Sequence, residues 1–313
     1  MARRKLIIDC DPGIDDAVNL LLAFASPAEF EILAITTVAG NVPLRRTAKN
    51  ARIIRELGGA EDIPVYAGCP RPMLREPVEA SEFHGKTGMD GMEHFTPKRP
   101  LAKGHAVDVI IETLRTAEDE EITLVVTGPF TNVAIAIIKD PSILKKVKEI
   151  VLMGGARAEA GNITPSAEFN IAADPHAAHV VFTCGRPIVA LGLDVTHQAM
   201  ATPERIKAIR AIGSAPATAV AGMLSFVAKV EKKLKNYDGA PLHDPCTIAW
   251  LLKPSLFDAK PCHVAVETGS ALTMGHTAVD FWGATGNPAN ALWVHGVDAD
   301  GLFKLITERI AKL

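Results

Sequence analysis

The chain is organised around the stretch Asp9-Cys10-Asp11-Pro12-Gly13-Ile14-Asp15-Asp16. Before it lies the apolar run at residues 6–8, which predicts a buried strand. After it, residues 17–22 carry the apolar pattern of a helix face. Pro12 and Gly13 keep the connection between these two elements short and abrupt. The stretch therefore predicts a strand-to-helix turn that carries four carboxylates.

Four acids in one turn point to a bound cation. Asp9 and Asp11 are two residues apart and share one side of an extended chain. Asp15 and Asp16 fall at the start of the predicted helix, where the helix dipole favours negative charge. A helix end needs only one cap, and four carboxylates in a partly buried turn repel each other. We expect a hard divalent cation, Ca²⁺ or Mg²⁺; the alternative is a capped helix start with one or two solvated acids.

The composition narrows the classes of protein that fit. The 313 residues suffice for one large α/β domain or two small ones, and 48% apolar with 22% charged residues is typical of globular enzymes. A net charge of −3 gives no electrostatic reason to expect nucleic acid or a membrane as partner. The basic residues 3–5 precede an apolar run too short for an export signal, and no run approaches the roughly 20 residues of a membrane span. Five scattered cysteines favour a reduced, cytoplasmic setting.

Short apolar runs alternate with helical patterns along the whole chain. The pattern predicts strands at residues 6–8, 31–38, 63–67, 121–126, 149–153 and 187–191, with late strands at 263–267, 277–281 and 291–295. Helices are predicted at residues 15–25, 45–57, 106–116, 132–138, 175–182, 203–212, 217–235, 244–252 and 302–312. This alternation predicts the α/β class: a single domain over residues 1–313 with an open, mostly parallel, Rossmann-like sheet, helices on both faces and a small extra late hairpin.

Polar residues follow the ends of several predicted strands. In open parallel sheets, ligands bind outside the carboxyl ends of the strands. We therefore expect one crevice to be shared by Asp11, Asn41, Thr127, Met153 and Asp194. The segment at residues 69–100 is rich in proline, glycine and charge, and a loop of that length is usually functional or mobile.

Other polar segments are ambiguous by themselves. His243-Asp244-Pro245 follows the same helix-capping pattern as Asp140-Pro141 and Asp174-Pro175, which favours a structural role for Asp244. The loop at residues 161–170 carries two amides and a carboxylate, which suit vicinal hydroxyls but also an ordinary polar loop. Residues 80–87 lack the first glycine and preceding strand of a P-loop, and Gly154-Gly155 lacks the further glycine of a dinucleotide fingerprint.

Taken together, these motifs resemble the nucleoside hydrolase family of the inosine-uridine-preferring type. The matching segments occur in the family's order: DCDPGIDDA at 9–17, TGPFTN at 127–132, MGG at 153–155, GNITPSAEFNIAADP at 161–175 and PLHDP at 241–245. The resemblance extends from about residue 5 to the last predicted helix, and the first of these segments is highly specific. It implies an enzyme that hydrolyses the N-glycosidic bond of ribonucleosides to ribose and free base.

The resemblance also implies roles for individual residues. A Ca²⁺ ion would be held by Asp11, Asp16, Asp244 and the backbone carbonyl of Thr127. Asp11 would in addition be the general base for a water on the metal, and Asp9 would lie behind the metal. Contacts to the ribose would come from Asp15, Asn41, Met153, Asn162, Glu168, Asn170 and Asp244.

The resemblance implies fewer residues for the part of the site that contacts the base. His243 resembles the histidine proposed to protonate the leaving base, and His84 the one that faces the base from a mobile loop. Phe169 and Tyr237 are candidate base contacts, and Phe226 is another; for Tyr237 and Phe226 a core role fits equally well. Purine or pyrimidine preference does not follow from the sequence. The family forms dimers or tetramers, so the resemblance implies a homodimer or homotetramer.

Two other classes of function remain open. One is a metal-dependent phosphohydrolase that uses Asp9 and Asp11 as nucleophile and acid; Pro12-Gly13 argues against it, since such enzymes continue the strand into a longer loop. The other is a nucleoside or ribose sensor without turnover. The presence of Asp11, His243 and Asp244 argues against that reading.

Overall fold

The computed structural model describes residues 3–313, and its central feature is the strand-to-helix turn predicted above. Strand β1 (Arg4–Cys10) ends at the acidic turn, and helix α1 (Ile14–Phe24) begins directly after Gly13. Strand β1 pairs in parallel with β2 (Phe30–Thr37) on one side and with β4 (Ile122–Val126) on the other. A central parallel strand is covered on both faces, which explains why residues 6–8 are continuously apolar.

The described residues form a nine-stranded sheet in the order β10-β9-β11-β6-β5-β4-β1-β2-β3. The seven strands from β3 to β11 in this order (β3, β2, β1, β4, β5, β6 and β11) run parallel to one another. Strand β9 is antiparallel to β11, and β10 is antiparallel to β9. The open, mostly parallel sheet is thus confirmed, and the late hairpin β9–β10 continues one edge of that sheet. The remaining strands are β3 (Val65–Ala67), β5 (Val147–Met153), β6 (Ile188–Leu191), β9 (Phe257–Val266), β10 (Thr277–Asp280), β11 (Ala291–Val297) and a separate small pair, β7 (Met200–Ala201) with β8 (Ala240–Pro241).

Helices cover both faces of the sheet. The helices after α1 are α2 (Leu44–Leu57), α3 (Ser81–His84), α4 (Ala106–Arg115), α5 (Thr131–Lys139), α6 (Phe169–Ala173), α7 (Pro175–Phe182), α8 (Leu193–Thr196), α9 (Pro203–Arg210), α10 (Ala215–Lys235), α11 (Pro245–Leu252) and α12 (Ala299–Ile310), with 3₁₀ turns at Pro141–Lys146 and Pro254–Leu256. One apolar cluster packs α1, α2 and α9 to α12, and another packs α4, α5 and α7. Strand β1 gives Leu6 and Ile8 to the first cluster and Ile7 to the second, as strand geometry requires.

The sequence missed only short elements. Helices α3, α6 and α8 and strands β7 and β8 each have two to five residues, too few for a periodic pattern to show. Within residues 3–313, no helix is both long and apolar enough to cross a membrane.

The order of the strands determines where a ligand can bind. From β1 the chain moves to β2 and β3 on one side, then returns to β4 on the other side of β1. This reversal creates a crevice at the carboxyl ends of β1 and β4, the usual ligand site of doubly wound sheets. Asp11 follows β1 and Thr127 follows β4, so both lie at this crevice.

Candidate active site

Four buried carboxylates meet at the crevice: Asp11, Asp15, Asp16 and Asp244, each no more than 8% exposed. Carboxylate oxygens of Asp15, Asp16 and Asp244 lie within 4.8 Å of one another. Burial raises the pKa of all four, that of Asp16 to about 6, and repulsion from neighbouring acids adds to this effect at Asp11, Asp16 and Asp244. The helix-capping interpretation of Asp244 is insufficient, since its side chain caps no described backbone group of α11.

Asp11 is held at the base of the crevice by the loop after β2. Its Oδ2 accepts a hydrogen bond of 2.6 Å from the backbone N–H of Asn41. Its Oδ1 is buried and finds no hydrogen-bond donor anywhere in residues 3–313. A Cβ on Gly40 would lie 2.0 Å from Asp11 Oδ2, so only glycine fits there. Sequence reasoning did not identify Gly40, because its importance arises from a contact distant in the chain.

Asp16 connects three segments around the crevice. Its Oδ1 accepts a hydrogen bond from Thr127 Oγ1 at 2.8 Å. Its Oδ2 accepts from the Gly13 backbone N–H at 3.0 Å and from Asn41 Nδ2 at 3.2 Å. These bonds hold the start of α1 against the ends of β2 and β4.

Asp9 lies in β1, away from the cleft walls. Its Oδ1 accepts hydrogen bonds from Thr36 Oγ1 at 2.5 Å and from Asn132 Nδ2 at 2.8 Å. Its Oδ2 has no partner in the described part of the chain. Burial raises the pKa of this carboxyl to about 7.

The polar loop at residues 161–170 is anchored to the ends of β4 and β5. Glu168 caps α6, accepting from the backbone N–H groups of Asn170 at 2.9 Å and Gly155 at 3.0 Å. Burial raises the pKa of Glu168 to about 7. Asn170 Nδ2 donates to the carbonyl oxygens of Thr127 at 2.8 Å and Met153 at 3.1 Å. Asn162 Oδ1 accepts a hydrogen bond of 2.9 Å from the N–H of Phe169, and this bond joins the two ends of the loop.

Two histidines face the crevice in neutral form. His84 Nδ1 accepts a hydrogen bond of 3.0 Å from the Ile14 backbone N–H, at the start of α1. Burial lowers the pKa of His84 to about 4. His243 Nδ1 lies 2.8 Å from Thr196 Oγ1, and burial holds the pKa of this imidazole well below its usual value. Neither histidine therefore carries a standing positive charge at neutral pH.

These groups surround a cleft that, together with the solvent at its mouth, encloses about 780 Å³. Asp11 and Asp16 are fully buried behind its walls. Tyr237 and Phe226 are not among the wall residues: the Tyr237 ring lies 6.3 Å from that of His197, and Phe226 packs against the core, so their contact with a base stays a prediction. Of the residues named from the sequence, the wall includes Asp15, Asn41, His84, Thr127, Met153, Asn162, Glu168, Phe169, Asn170, His243 and Asp244.

Asp194 does not belong to the shared crevice, contrary to the expectation from its place after a strand. Its two carboxylate oxygens accept hydrogen bonds from the backbone N–H groups of Arg157 and Ala158, at 2.8 and 2.7 Å. This carboxylate thus fixes the loop after β5, because β6 leads directly into the short helix α8 and turns its first residues toward that loop.

Helix α10 supplies a wall on the side where the resemblance implies a base pocket, near residues 226–237, but the wall residues themselves were not named from the sequence. Leu224, Val227, Glu231 and Lys235 recur at intervals of three and four residues and therefore share one face of this helix. The periodicity was visible in the sequence, but an acid and a lysine four residues apart are typical of a solvated surface pair. Further wall residues that were not anticipated are Ile14, Ala80, Phe83, Ile163, Pro241 and Leu242.

Comparison with known proteins agrees with this geometry. The sequence profile of a family described as inosine-uridine preferring nucleoside hydrolase matches residues 6–304. A pyrimidine-specific ribonucleoside hydrolase RihA from Shewanella sp. is 47% identical over 98% of this chain and 96% of its own. Among solved structures, a plant nucleoside hydrolase (PpNRh1) superposes with a TM-score of 0.92 at 32% identity, covering 99% of both chains. A purine-preferring ribonucleoside hydrolase from Gardnerella vaginalis has a TM-score of 0.91 at 32% identity, covering 98% of both.

Proposed function

The chain belongs to the inosine-uridine preferring nucleoside hydrolase family and is an N-glycosyl hydrolase of ribonucleosides, and on this premise we propose that its reaction depends on Ca²⁺ and on Asp11 as general base. One observation carries the proposal: four buried carboxylates, all with raised pKa values, meet at the switch point of the sheet. Such a cluster is unfavourable without a positive charge.

The donor set fits a hard cation. Asp11 Oδ1 and Asp15 Oδ1 are buried oxygens that find no hydrogen-bond donor in the described ranges, and both belong to the acid cluster. Oxygen ligands of this kind are those that Ca²⁺ prefers. Asp11, Asp16, Asp244 and the carbonyl of Thr127 would hold the ion, and the proximity of Asp15 to Asp16 and Asp244 makes it a further candidate. When bound, the ion would offset the repulsion between these acids and lower the pKa of a nearby water.

The sugar would bind beside the acid cluster. Amide and carboxylate groups suited to ribose hydroxyls line the same cleft, and hydrogen bonds to backbone groups hold Asn41, Asn162, Glu168 and Asn170 in place. A rigid, pre-positioned set of this kind lowers the entropy cost of orienting the substrate. The proposed ribose contacts are Asp15, Asn41, Met153, Asn162, Glu168, Asn170 and Asp244.

The reaction breaks the bond between the anomeric carbon and the base nitrogen. The electron pair of that bond stays on the base, and the sugar passes through an oxocarbenium-like state. Asp11 accepts a proton from the attacking water, whose hydroxyl adds to the anomeric carbon, and the departing base ends with one proton. His243, next to Asp244 in the cleft wall, is the proposed donor to the base: its lowered pKa makes the protonated form scarce but strongly acidic.

The relatives suggest a preference for the base. The relative named as pyrimidine-specific is 47% identical to this chain, whereas the structure named as purine-preferring is 32% identical. We therefore propose pyrimidine ribonucleosides as the better substrates. His84 and Phe169 line the cleft as candidate contacts to the base, and Tyr237 stays a candidate just outside it.

The oligomeric state and the cellular compartment of the protein are also proposals. The unbridged state of all five cysteines supports a reduced setting such as the cytoplasm. The family resemblance supports a homodimer or homotetramer, and the exposed side chains of Trp282 (83%) and Leu272 (87%) are candidates for a contact between subunits. Light scattering on the purified protein measures the oligomeric state directly, and a monomer at micromolar concentration would contradict the assembly.

One assay separates the classes of function. The protein is incubated with purine and pyrimidine nucleosides and with p-nitrophenyl phosphate, and reducing sugar and phosphate are measured with and without a calcium chelator. We expect reducing sugar that disappears on chelation and returns with added Ca²⁺. Phosphate release alone would support a phosphohydrolase, nucleoside binding without product would support a sensor, and turnover unaffected by chelation would refute the role of the metal.

A further inference from the structure

A second cavity lies outside the catalytic cleft, against the first two turns of α2. Together with the solvent at its mouth it encloses about 620 Å³, and it shares no wall residue with the cleft. Within residues 3–313 no carboxylate lines this cavity, so its charged groups are all cationic. The wall residues are Arg45, Arg46, Lys49, Asn50, Thr87 and His94.

The three cations of this cavity come from one face of α2. Arg45, Arg46 and Lys49 are exposed, and their spacing of one to four residues places them on the same side of the helix. None of the three forms an ion pair or a side-chain hydrogen bond within residues 3–313. Arg52, further along the same helix, instead donates to two backbone carbonyl oxygens. The cations of the cavity are therefore available to a ligand.

The position of these cations is unfavourable as long as no anion is bound. The N-terminus of a helix carries a partial positive charge, which repels Arg45 and Arg46 in the first turn of α2. That turn contains no acidic residue, and its N-cap, Pro43, offers no side-chain acceptor to the backbone N–H groups. Arg45 and Lys49 are four residues apart, a spacing at which like charges destabilise a helix. An anion in the cavity would offset these repulsions.

The other polar groups of the cavity wall are fixed by hydrogen bonds. His94 Nε2 lies 2.9 Å from Thr87 Oγ1 and 3.1 Å from the carbonyl oxygen of Met89. Asn50 is 2% exposed, and its Nδ2 donates to the carbonyl oxygens of Thr87 and Pro12, both at 2.9 Å. Asn50 thus joins this wall to the acidic turn after β1. The cavity is therefore built on fixed groups and is more than a gap between surface side chains.

We propose that this cavity binds a phosphate-bearing small molecule, whose phosphate is held by Arg45, Arg46 and Lys49. A phosphate group carries about −1.5 to −2 charges near neutral pH, which suits three cations better than the single charge of a carboxylate. A guanidinium group binds two phosphate oxygens at once, and a lysine adds a point charge. Inorganic phosphate and an organic phosphate monoester share this chemistry and differ only in what fills the rest of the cavity. The site goes beyond the proposed hydrolysis and does not depend on it.

The test measures binding to the full-length, calcium-loaded protein by isothermal titration calorimetry and by the shift in Tm. The probes are inorganic phosphate and phenyl phosphate, which has no ribose and so does not resemble a nucleoside. Succinate is the comparison, since it is a dianion without phosphate. The variants are Arg45→Gln, Arg46→Gln and Lys49→Gln, because glutamine removes the charge and keeps a similar helix propensity. Lys207→Gln is the matched control at an exposed helical lysine outside the cavity.

We expect a phosphate probe to bind wild type at one site per chain, roughly tenfold or more tightly than succinate, and to raise its Tm. Each cavity variant should weaken this binding roughly tenfold or more, because it removes one charge-assisted contact, and Lys207→Gln should match wild type. Without a ligand, the cavity variants should unfold at the same Tm as wild type or higher, because each removes a repulsion. Tighter binding of phenyl phosphate would identify a monoester as the ligand, and tighter binding of inorganic phosphate the free ion; both support the site.

Several results would overturn the inference. One is that neither phosphate probe binds wild type, and another is that succinate binds as tightly as they do. Equal binding by wild type and the cavity variants would place the phosphate elsewhere on the protein. An equal loss in Lys207→Gln would indicate general attraction to surface charge instead of a site. Should one cavity variant fail to fold, the other two decide.

Discussion

The substitution Asp9→Asn should make the metal-free protein more stable at high pH. Asp9 is 1% exposed, and burial raises the pKa of its carboxyl to about 7 from an ordinary value of 3.8. Its Oδ1 accepts both of its hydrogen bonds, from Thr36 and Asn132, and Oδ2 accepts none from the described residues. An asparagine keeps the Oδ1 contacts and resembles the protonated acid, so it removes the buried charge with little other change.

The size of the effect follows from proton linkage. The Asp9 carboxyl has a pKa of 3.8 in the unfolded chain and of about 7 in the folded protein. At a pH between these values the folded state holds a proton on Asp9 that the unfolded state has lost. The stability of the wild type therefore falls as pH rises toward and through about 7. The resulting penalty on the free energy of unfolding is about 1.7 kcal/mol at about pH 5 and about 4 kcal/mol at about pH 8.5. Relative to wild type, Asp9→Asn should therefore gain about 2 to 3 kcal/mol across this range.

Urea unfolding measured in chelator at both pH values, followed by circular dichroism, gives this difference directly. Asp62→Asn is the matched control, because it makes the same substitution at a side chain that is fully exposed. A difference between Asp9→Asn and wild type that does not change with pH, or that decreases as pH rises, would refute the reasoning.

Three further predictions concern activity. Asp11→Asn should lower kcat by about 10²- to 10⁴-fold, the usual contribution of a general base, while circular dichroism shows a normal fold. Gly40→Ala should lower kcat/KM by about 10²-fold, because the new Cβ would meet Asp11 Oδ2 at 2.0 Å and displace the carboxylate, and a misplacement of this kind is costly. His243→Ala should reduce kcat for nucleosides more than for p-nitrophenyl riboside, because nitrophenolate leaves without a proton.

Each of these predictions has an outcome that contradicts it. Retained turnover in Asp11→Asn would remove that residue from the chemistry. Gly269→Ala is the control for the glycine substitution, since a Cβ there would meet only Glu267 at 3.5 Å, an ordinary contact; equal activity of both alanine variants would contradict the close packing at Gly40. Equal losses on both substrates in His243→Ala would argue against a proton transfer to the base.

Much of the fold was predictable from residues that are neighbours in the sequence. Strand and helix periods are local, so residues 6–8 and 17–22 predicted β1 and α1 correctly. The alternation of such segments predicted the mostly parallel sheet, and the rule for strand ends placed Asn41, Thr127 and Met153 at one crevice correctly. The same rule was wrong for Asp194, because the rule carries no information on which way a side chain turns after its strand.

The site itself was determined partly by motif and partly by distant contacts. Four acids in one turn indicated a cation from charge alone, whereas the local pattern at Asp244 indicated a helix cap and only the family resemblance implied a metal ligand there. The fold brings its carboxylate to within 4.8 Å of those of Asp15 and Asp16. Glu231 and Lys235 had the spacing of a surface ion pair, and only the packing of α10 against α3 encloses them in the cleft.

The sequence by itself determined the acidic strand-to-helix turn, the α/β class and the family resemblance, because turn chemistry, periodicity and motifs reside in neighbouring residues. Only the tertiary structure decided how closely the carboxylates of Asp15, Asp16 and Asp244 approach, why Gly40 must lack a side chain, and which face of α10 closes the cleft. These depend on strand order and long-range packing, which bring together groups that no local pattern relates.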